Sequence, residues 1–233
     1  MQRILITGAN RGIGFELTRQ LLKDDAYIFA TCRAPERADA LNELARKHED
    51  RVTVLQMDVN DEASIDGALK AVAAKTDALN LLINNAGIGG GDQARILGQL
   101  TATEVSYVIS TNAVGPLIVA QACRDLLKCG DNPRVVMISS GMGSLQRAGG
   151  SSYAYRMSKV ALNMAARVLA FDKAMAGITT IAVNPGWVQT DMGGPNAALT
   201  PQESTKSLRA LINRVTPAEN GKFFQYDGSE LPW

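Results

Sequence analysis

Tyr155 and Lys159 stand four residues apart in Tyr153-Ala154-Tyr155-Arg156-Met157-Ser158-Lys159, and Ser139-Ser140 closes an apolar run just upstream. On a helix, positions i and i+4 share a face, so this spacing sets a phenol beside an ammonium. A free phenol titrates near pH ~10, too weak an acid for work at neutral pH. A neighbouring cation favours the phenolate and lowers that value. The pair therefore predicts a proton donor or acceptor for redox chemistry at a carbonyl. An amphipathic helix with a snorkelling lysine would show the same spacing, so the rest of the chain must decide.

The other end of the chain offers a source of hydride. Thr7-Gly8-Ala9-Asn10-Arg11-Gly12-Ile13-Gly14 follows a short apolar run and opens a helical pattern. Glycine permits positive φ and removes the Cβ that would block a pyrophosphate. A helix N-terminus then presents unpaired N–H groups and a favourable dipole to the anion. The predicted second strand ends in Thr31-Cys32-Arg33 with no carboxylate for a ribose 2′-hydroxyl. Arg33, with Arg11 inside the glycine turn, favours NADP over NAD, because a basic residue accommodates a 2′-phosphate. Asp58 could accept from the adenine amino group or help cap the helix that follows.

These residues need a scaffold. Apolar runs with little alternation occur at 4–6, 27–30, 52–55, 79–83, 135–138, 180–183 and 223–224. Helical patterns lie between them near 13–24, 36–48, 62–75, 103–128, 154–176 and 201–214. Strands covered on both faces and joined by helices predict an α/β fold, a Rossmann-type doubly wound parallel sheet of about seven strands. No linker, repeat or composition break divides the 233 residues, so 1–233 reads as a single domain. The glycine- and proline-rich stretch near 186–200 reads as a substrate loop at the carboxyl edge of the sheet.

A net charge of +1, with no basic run, gives no reason to expect nucleic acid or membrane as a partner. No continuous apolar run approaches the ~20 residues that span a bilayer. The first residues enter a strand and a glycine turn directly, and the three cysteines lack metal-site spacing, so a reduced, cytoplasmic protein is expected, with no metal. The single His48 sits in a charged segment and makes a Ser-His-Asp triad a poor reading.

Taken together, the segments resemble the short-chain dehydrogenase/reductase family, in its single-domain branch. Thr7 to Gly14 looks like the family's cofactor turn, Asp58-Val59 like its adenine contact, and Asn84-Asn85-Ala86-Gly87 like its Asn-Asn-Ala-Gly signature. Asn112, Ser140 and Tyr155-x-x-x-Lys159 resemble its catalytic residues, and Asn184-Pro185-Gly186-Trp187-Val188-Gln189-Thr190 the segment that holds a nicotinamide carboxamide. Tyr153-to-Lys159 and the Gly228-to-Trp233 ending are similar to the carbonyl-reductase-like and C-factor-like subgroup.

The resemblance implies NADPH bound by Gly8, Asn10, Arg11, Gly12, Ile13, Gly14, Arg33, Asp58, Val59, Asn85, Ala86, Gly87, Tyr155, Lys159, Pro185, Gly186, Val188 and Thr190. It implies reduction of a small-molecule aldehyde, ketone or quinone, with Lys159 lowering the phenol pKa and Asn112 supporting a proton-relaying water. It also implies a homodimer or homotetramer through the helices near 103–128 and 154–176, where Val160, Leu162, Val168 and Leu169 serve either the interface or the core. The family's serine usually lies nearer its tyrosine, and the extra residues fall in Arg147 to Ser152. Ser139 is therefore an alternative to Ser140, since adjacent strand residues face opposite sides. Tyr153 competes poorly with Tyr155, having Met157 rather than lysine four residues on. A rival reading is an NADP(H)-binding sensor or signalling protein with little turnover.

Overall fold

The computed structural model describes residues 1–233. Seven strands form one sheet: β1 (Gln2–Ile6), β2 (Ala26–Cys32), β3 (Val52–Gln56), β4 (Leu81–Asn84), β5 (Arg134–Ile138), β6 (Thr179–Asn184) and β7 (Phe223–Gln225). All neighbours run parallel, in the order β3-β2-β1-β4-β5-β6-β7. The helices are α1 (Gly12–Leu21), α2 (Asp39–Lys47), α3 (Glu62–Ala73), α4 (Asp92–Arg95), α5 (Ala102–Ile109), α6 (Gly115–Lys128), α7 (Tyr153–Phe171) and α8 (Pro201–Arg214). The doubly wound α/β reading holds.

The apolar strands follow from burial on both faces. Alternation sends Leu5, Leu82, Val135 and Met137 to one layer and Ile4, Ile6, Ile83 and Val136 to the other. The first layer packs under α3, α6 and α7, the second under α1, α2 and α8. The layers contain 25 and 24 buried residues, so the sheet is covered alike on both sides. The strand order reverses at β1, which pairs with β2 on one side and β4 on the other. Loops diverge there at the carboxyl ends and leave a crevice.

Three departures from the sequence pattern have physical causes. The helix expected over 103–128 is broken by a π-helical turn, Ser110–Val114. Pro116 lacks the N–H that would close an α-helical bond to the Asn112 carbonyl, and the ladder shifts so that Gly115 N–H reaches Ser110. The helix expected to run to 176 stops at Phe171, because the Asp172 carboxylate accepts from Ala174 N–H and starts a separate turn. The four-residue α4 escaped notice because it is too short for a periodic pattern.

Ala102–Lys128, 27 residues in all, is long and apolar enough by composition to cross a bilayer. Its inner face, including Val119, Ala120, Cys123 and Leu127, is core. On α7, Leu162 and Leu169 are also core, whereas Val168 is exposed beside Met164 and Phe171.

Candidate active site

A cleft of about 560 Å³ runs along the carboxyl ends of the strands. Its wall takes Gly8, Asn10, Arg11, Gly12 and Ile13 from the turn after β1, and Arg33 from the end of β2. Asp58 and Val59 follow β3, while Asn85, Ala86 and Gly87 follow β4. Tyr155 and Lys159 come from α7, and Pro185 and Thr190 from the segment after β6. Gly14, Asn112, Ser140, Gly186 and Val188 are not among the residues that line it.

The glycine turn is built by close packing. A Cβ on Gly14 would lie 2.3 Å from the Gly8 carbonyl and 2.4 Å from Asn85 Nδ2. One on Gly8, whose φ is +65°, would meet Ala86 Cα at 2.9 Å. These two glycines therefore admit the protein's own atoms at close range. Asn85 braces the same turn. Its amide donates to the carbonyls of Thr7 and Gly8, both at 3.0 Å, and the Thr7 hydroxyl accepts from the N–H groups of Asn85 and Ala86. The first turn of α1 receives no side-chain cap and contains no acid, so it presents a positive end to the cleft.

Two details beside the turn were not legible from sequence. Arg11, expected to be open to a phosphate, is ion-paired with Asp191 of the segment after β6. Arg33 donates to the Tyr107 hydroxyl at 3.4 Å. Asp58 does not cap α3: its Oδ1 accepts from Asn60 N–H, and Asp61 supplies the cap by accepting from Ala63 N–H.

At the other end, Tyr155 is half-buried and lines the cleft. Burial pushes its pKa up from the usual phenol value, and a hydrogen bond with Ser140 opposes that only in part. The Ser139 hydroxyl also borders the cleft but donates to Asn163 Oδ1 at 2.6 Å, within the core. Of the two serines, Ser140 is therefore the one whose hydroxyl is left to act on the phenol. Ser140 also accepts from Met142 N–H at 3.1 Å, which orients its side chain.

Lys159 is 5% exposed, and burial lowers its pKa to about 8. The ammonium donates to the Ile138 carbonyl at 2.9 Å and sits 5.6 Å from the centroid of the Tyr155 ring. No carboxylate pairs with it. Within the protein's own groups, desolvation is the largest influence on the Tyr155 phenol.

Asn112 is fully buried in the π turn. Its amide accepts from Ile88 N–H at 2.8 Å and donates to the Ile88 carbonyl at 2.8 Å and Ser158 Oγ at 3.0 Å. Both amide protons are engaged in fastening the loop after β4 to α7. Gly87 makes this approach possible, since its missing Cβ would lie 3.2 Å from Asn112 Oδ1 and 3.8 Å from Lys159 Nζ.

The cleft is also lined by residues that no motif marks, among them Glu16, Arg19, Asp191, Met192 and Gln202. Asp191 and Met192 fall inside the stretch flagged as a loop. Glu16 and Arg19 carry only an i, i+3 ion pair, which is common on exposed helices and drew no attention.

Comparison with known proteins completes the description. Residues 2–199 match the family model described as short chain dehydrogenase. The protein named C-signal from Myxococcus xanthus is 43% identical over 159 residues, which cover 68% of this chain and 95% of that one. The carbonyl reductase Sniffer of D. melanogaster has a similar structure with a TM-score of 0.94 and 35% identity, covering 100% of both chains. An NADPH-bound carbonyl reductase from chicken fatty liver gives a TM-score of 0.93 and 35% identity, covering 100% of this chain and 99% of that one.

Proposed function

The chain belongs to the short-chain dehydrogenase/reductase family, and from that premise we propose that it reduces an aldehyde, ketone or quinone with NADPH. The observation that carries this reading is the Tyr155 ring, 5.6 Å from a buried Lys159 ammonium, at one end of a cleft that holds Arg11 and Arg33.

The cleft fits a dinucleotide phosphate on its own chemistry. The uncapped first turn of α1 suits a diphosphate, and two guanidinium groups suit a further phosphate. Gly12, Ile13, Asp58, Val59, Ala86, Pro185 and Thr190 would line the bound cofactor, which supplies the hydride. Two structurally similar proteins are carbonyl reductases, one of them NADPH-bound, and this supports the choice of reaction.

Each side chain then has a defined task. Tyr155 remains protonated at neutral pH because burial raises its pKa, so it is set to donate to a carbonyl oxygen as negative charge develops there. Ser140 hydrogen-bonds the same oxygen and stabilises that charge. Lys159 is an ammonium below about pH 8 and lies beside the ring, where its charge stabilises the phenolate left once the proton has gone. Asn112 holds Ile88 and Ser158 and so fixes the floor on which Lys159 stands. A protonated acid favours the reduction direction at neutral pH, while alcohol oxidation should accelerate as pH rises.

In this reading residues 1–233 act as one catalytic domain, with the 186–200 segment as its substrate loop. Three free cysteines suit a reducing, cytoplasmic setting, and the exposed Met164, Val168 and Phe171 of α7 suit a homo-oligomer. The test is oxidation of NADPH beside NADH over a panel of aldehydes, diketones and quinones. Turnover with NADPH supports the reading. Tight NADPH binding with no turnover would favour a sensor, and preference for NADH would remove the roles given to Arg11 and Arg33.

A further inference from the structure

Arg11 has a partner where the proposed function gives it another. Its guanidinium pairs with Asp191, 180 residues away in sequence, and both groups line the cleft. Asp191 belongs to a short bridge across that cleft. Thr190, one residue before it, lies against the glycine turn, where a Cβ on Gly12 would be 3.3 Å from the Thr190 methyl. Met192, one residue after it, reaches the loop beyond β4, where a Cβ on Gly89 would be 3.4 Å from Met192 Cγ. The segment is braced from within, since the Thr190 hydroxyl accepts from Gly193 N–H and the Thr190 carbonyl from Gly194 N–H.

We propose that Asp191 is a specificity-determining residue that stands in for the cofactor's 2′-phosphate: it holds Arg11 in the free protein and gives it up when that phosphate binds, which releases the 190–194 bridge. The inference rests on the reading that NADPH, through Arg11 and Arg33, is the cofactor. A carboxylate and a phosphate offer a guanidinium the same forked acceptor geometry, and the doubly charged phosphate is the stronger partner. A guanidinium already closed on a carboxylate must exchange partners before it can bind the phosphate. Exchange therefore couples recognition of the 2′-phosphate to freedom of the loop proposed to meet the substrate. A nucleotide without that phosphate leaves the ion pair closed.

Both partners are mostly exposed, with side chains 66% and 75% accessible, so the exchange is a modest bias rather than a lock. Removing the carboxylate should strengthen binding of a 2′-phosphate by roughly two- to fivefold, the range an exposed ion pair supports.

The probes are adenosine 2′,5′-bisphosphate and adenosine 5′-monophosphate, bound to the full chain at ~0.15 M salt, where long-range charge effects are damped. Calorimetry gives the affinities, and hydrogen exchange follows the amides of 190–194. The bisphosphate is expected to bind Asp191→Asn several-fold more tightly than the parent, while the monophosphate binds both equally. In the parent, the bisphosphate alone should speed exchange at 190–194. In Arg11→Ala, the further change Asp191→Asn should do nothing. Equal gains for both nucleotides, a gain that persists without Arg11, or the same exchange response to both would overturn the inference. If the bisphosphate has no advantage over the monophosphate in any variant, the NADPH reading fails. If that advantage exists but ignores Asp191, only this inference fails.

Discussion

The two ends of the cleft are held in different ways. Around the glycine turn, geometry comes from small residues and neutral amides: Gly8 and Gly14 admit backbone atoms, and Asn85 and Thr7 satisfy the groups exposed by the turn. Beside the half-buried Tyr155, the fold buries an ammonium with a lone carbonyl as partner. The first arrangement is what packing favours. The second opposes it, because burial disfavours the charged form of Lys159. A region that gives up stability in this way marks where chemistry, rather than folding, selects the residues.

Lys159→Met should separate the two regions most sharply. Loss of the ammonium should lower turnover by roughly 100-fold or more, the scale on which acid–base groups act. Stability should rise instead. The downward shift to about 8 corresponds to a penalty of about 3 kcal/mol at neutral pH, at ~1.36 kcal/mol per pH unit. Losing the bond to Ile138 offsets part of it, leaving a gain of about 1–3 kcal/mol. The sign with pH is also defined. Between about 8 and the ordinary lysine value of 10.5 the unfolded chain holds the proton and the native one has released it, so parental stability rises through that window. The variant should lack that slope. Denaturant titrations of both proteins at pH 7, 8, 9 and 10 would reveal it, and a variant less stable than the parent at pH 7 would refute the contrast.

Gly14→Ala probes the packed end. With a Cβ forced against the Gly8 carbonyl and the Asn85 amide, stability should fall by about 2–3 kcal/mol, read as a lowered Tm. An unchanged Tm would mean the turn is looser than described.

The smallest effect lies at the start of α7. Ser151 and Ser152 have φ of +75° and +56°, left-handed backbone that a non-glycine residue adopts at a penalty. The Ser152 N–H donates to the Arg95 carbonyl, which ties this strained turn to α4. Ser152→Gly should raise stability by about 0.5–1 kcal/mol, read by denaturant midpoint. A decrease would show that the strain is absent.

The same division explains what could be read from sequence. Strands such as β1 and β5 were legible because double-sided burial writes them as apolar runs, and the Tyr155–Lys159 pair because its spacing fits one helical face. The break at Asn112 was not, although Pro116 contained the cause, since the surrounding residues keep an apolar, helical pattern. Alternation indicated that Ser139 and Ser140 face opposite ways but not which way the site lies; Asn163, 24 residues from Ser139, decides that. The partner of Arg11 was beyond reach, because no local pattern links positions 11 and 191. The raised pKa of Tyr155 likewise depends on burial, a property that no spacing reports.

The most direct test of the account is Tyr155→Phe, assayed for NADPH binding, Tm and carbonyl reduction together. Removal of one hydroxyl should leave NADPH affinity and Tm close to the parent while reduction falls by at least ~1,000-fold, since the proposed proton donor is gone. Reduction retained at near the parental rate, with folding and binding intact, would contradict the assignment of Tyr155 as the proton donor.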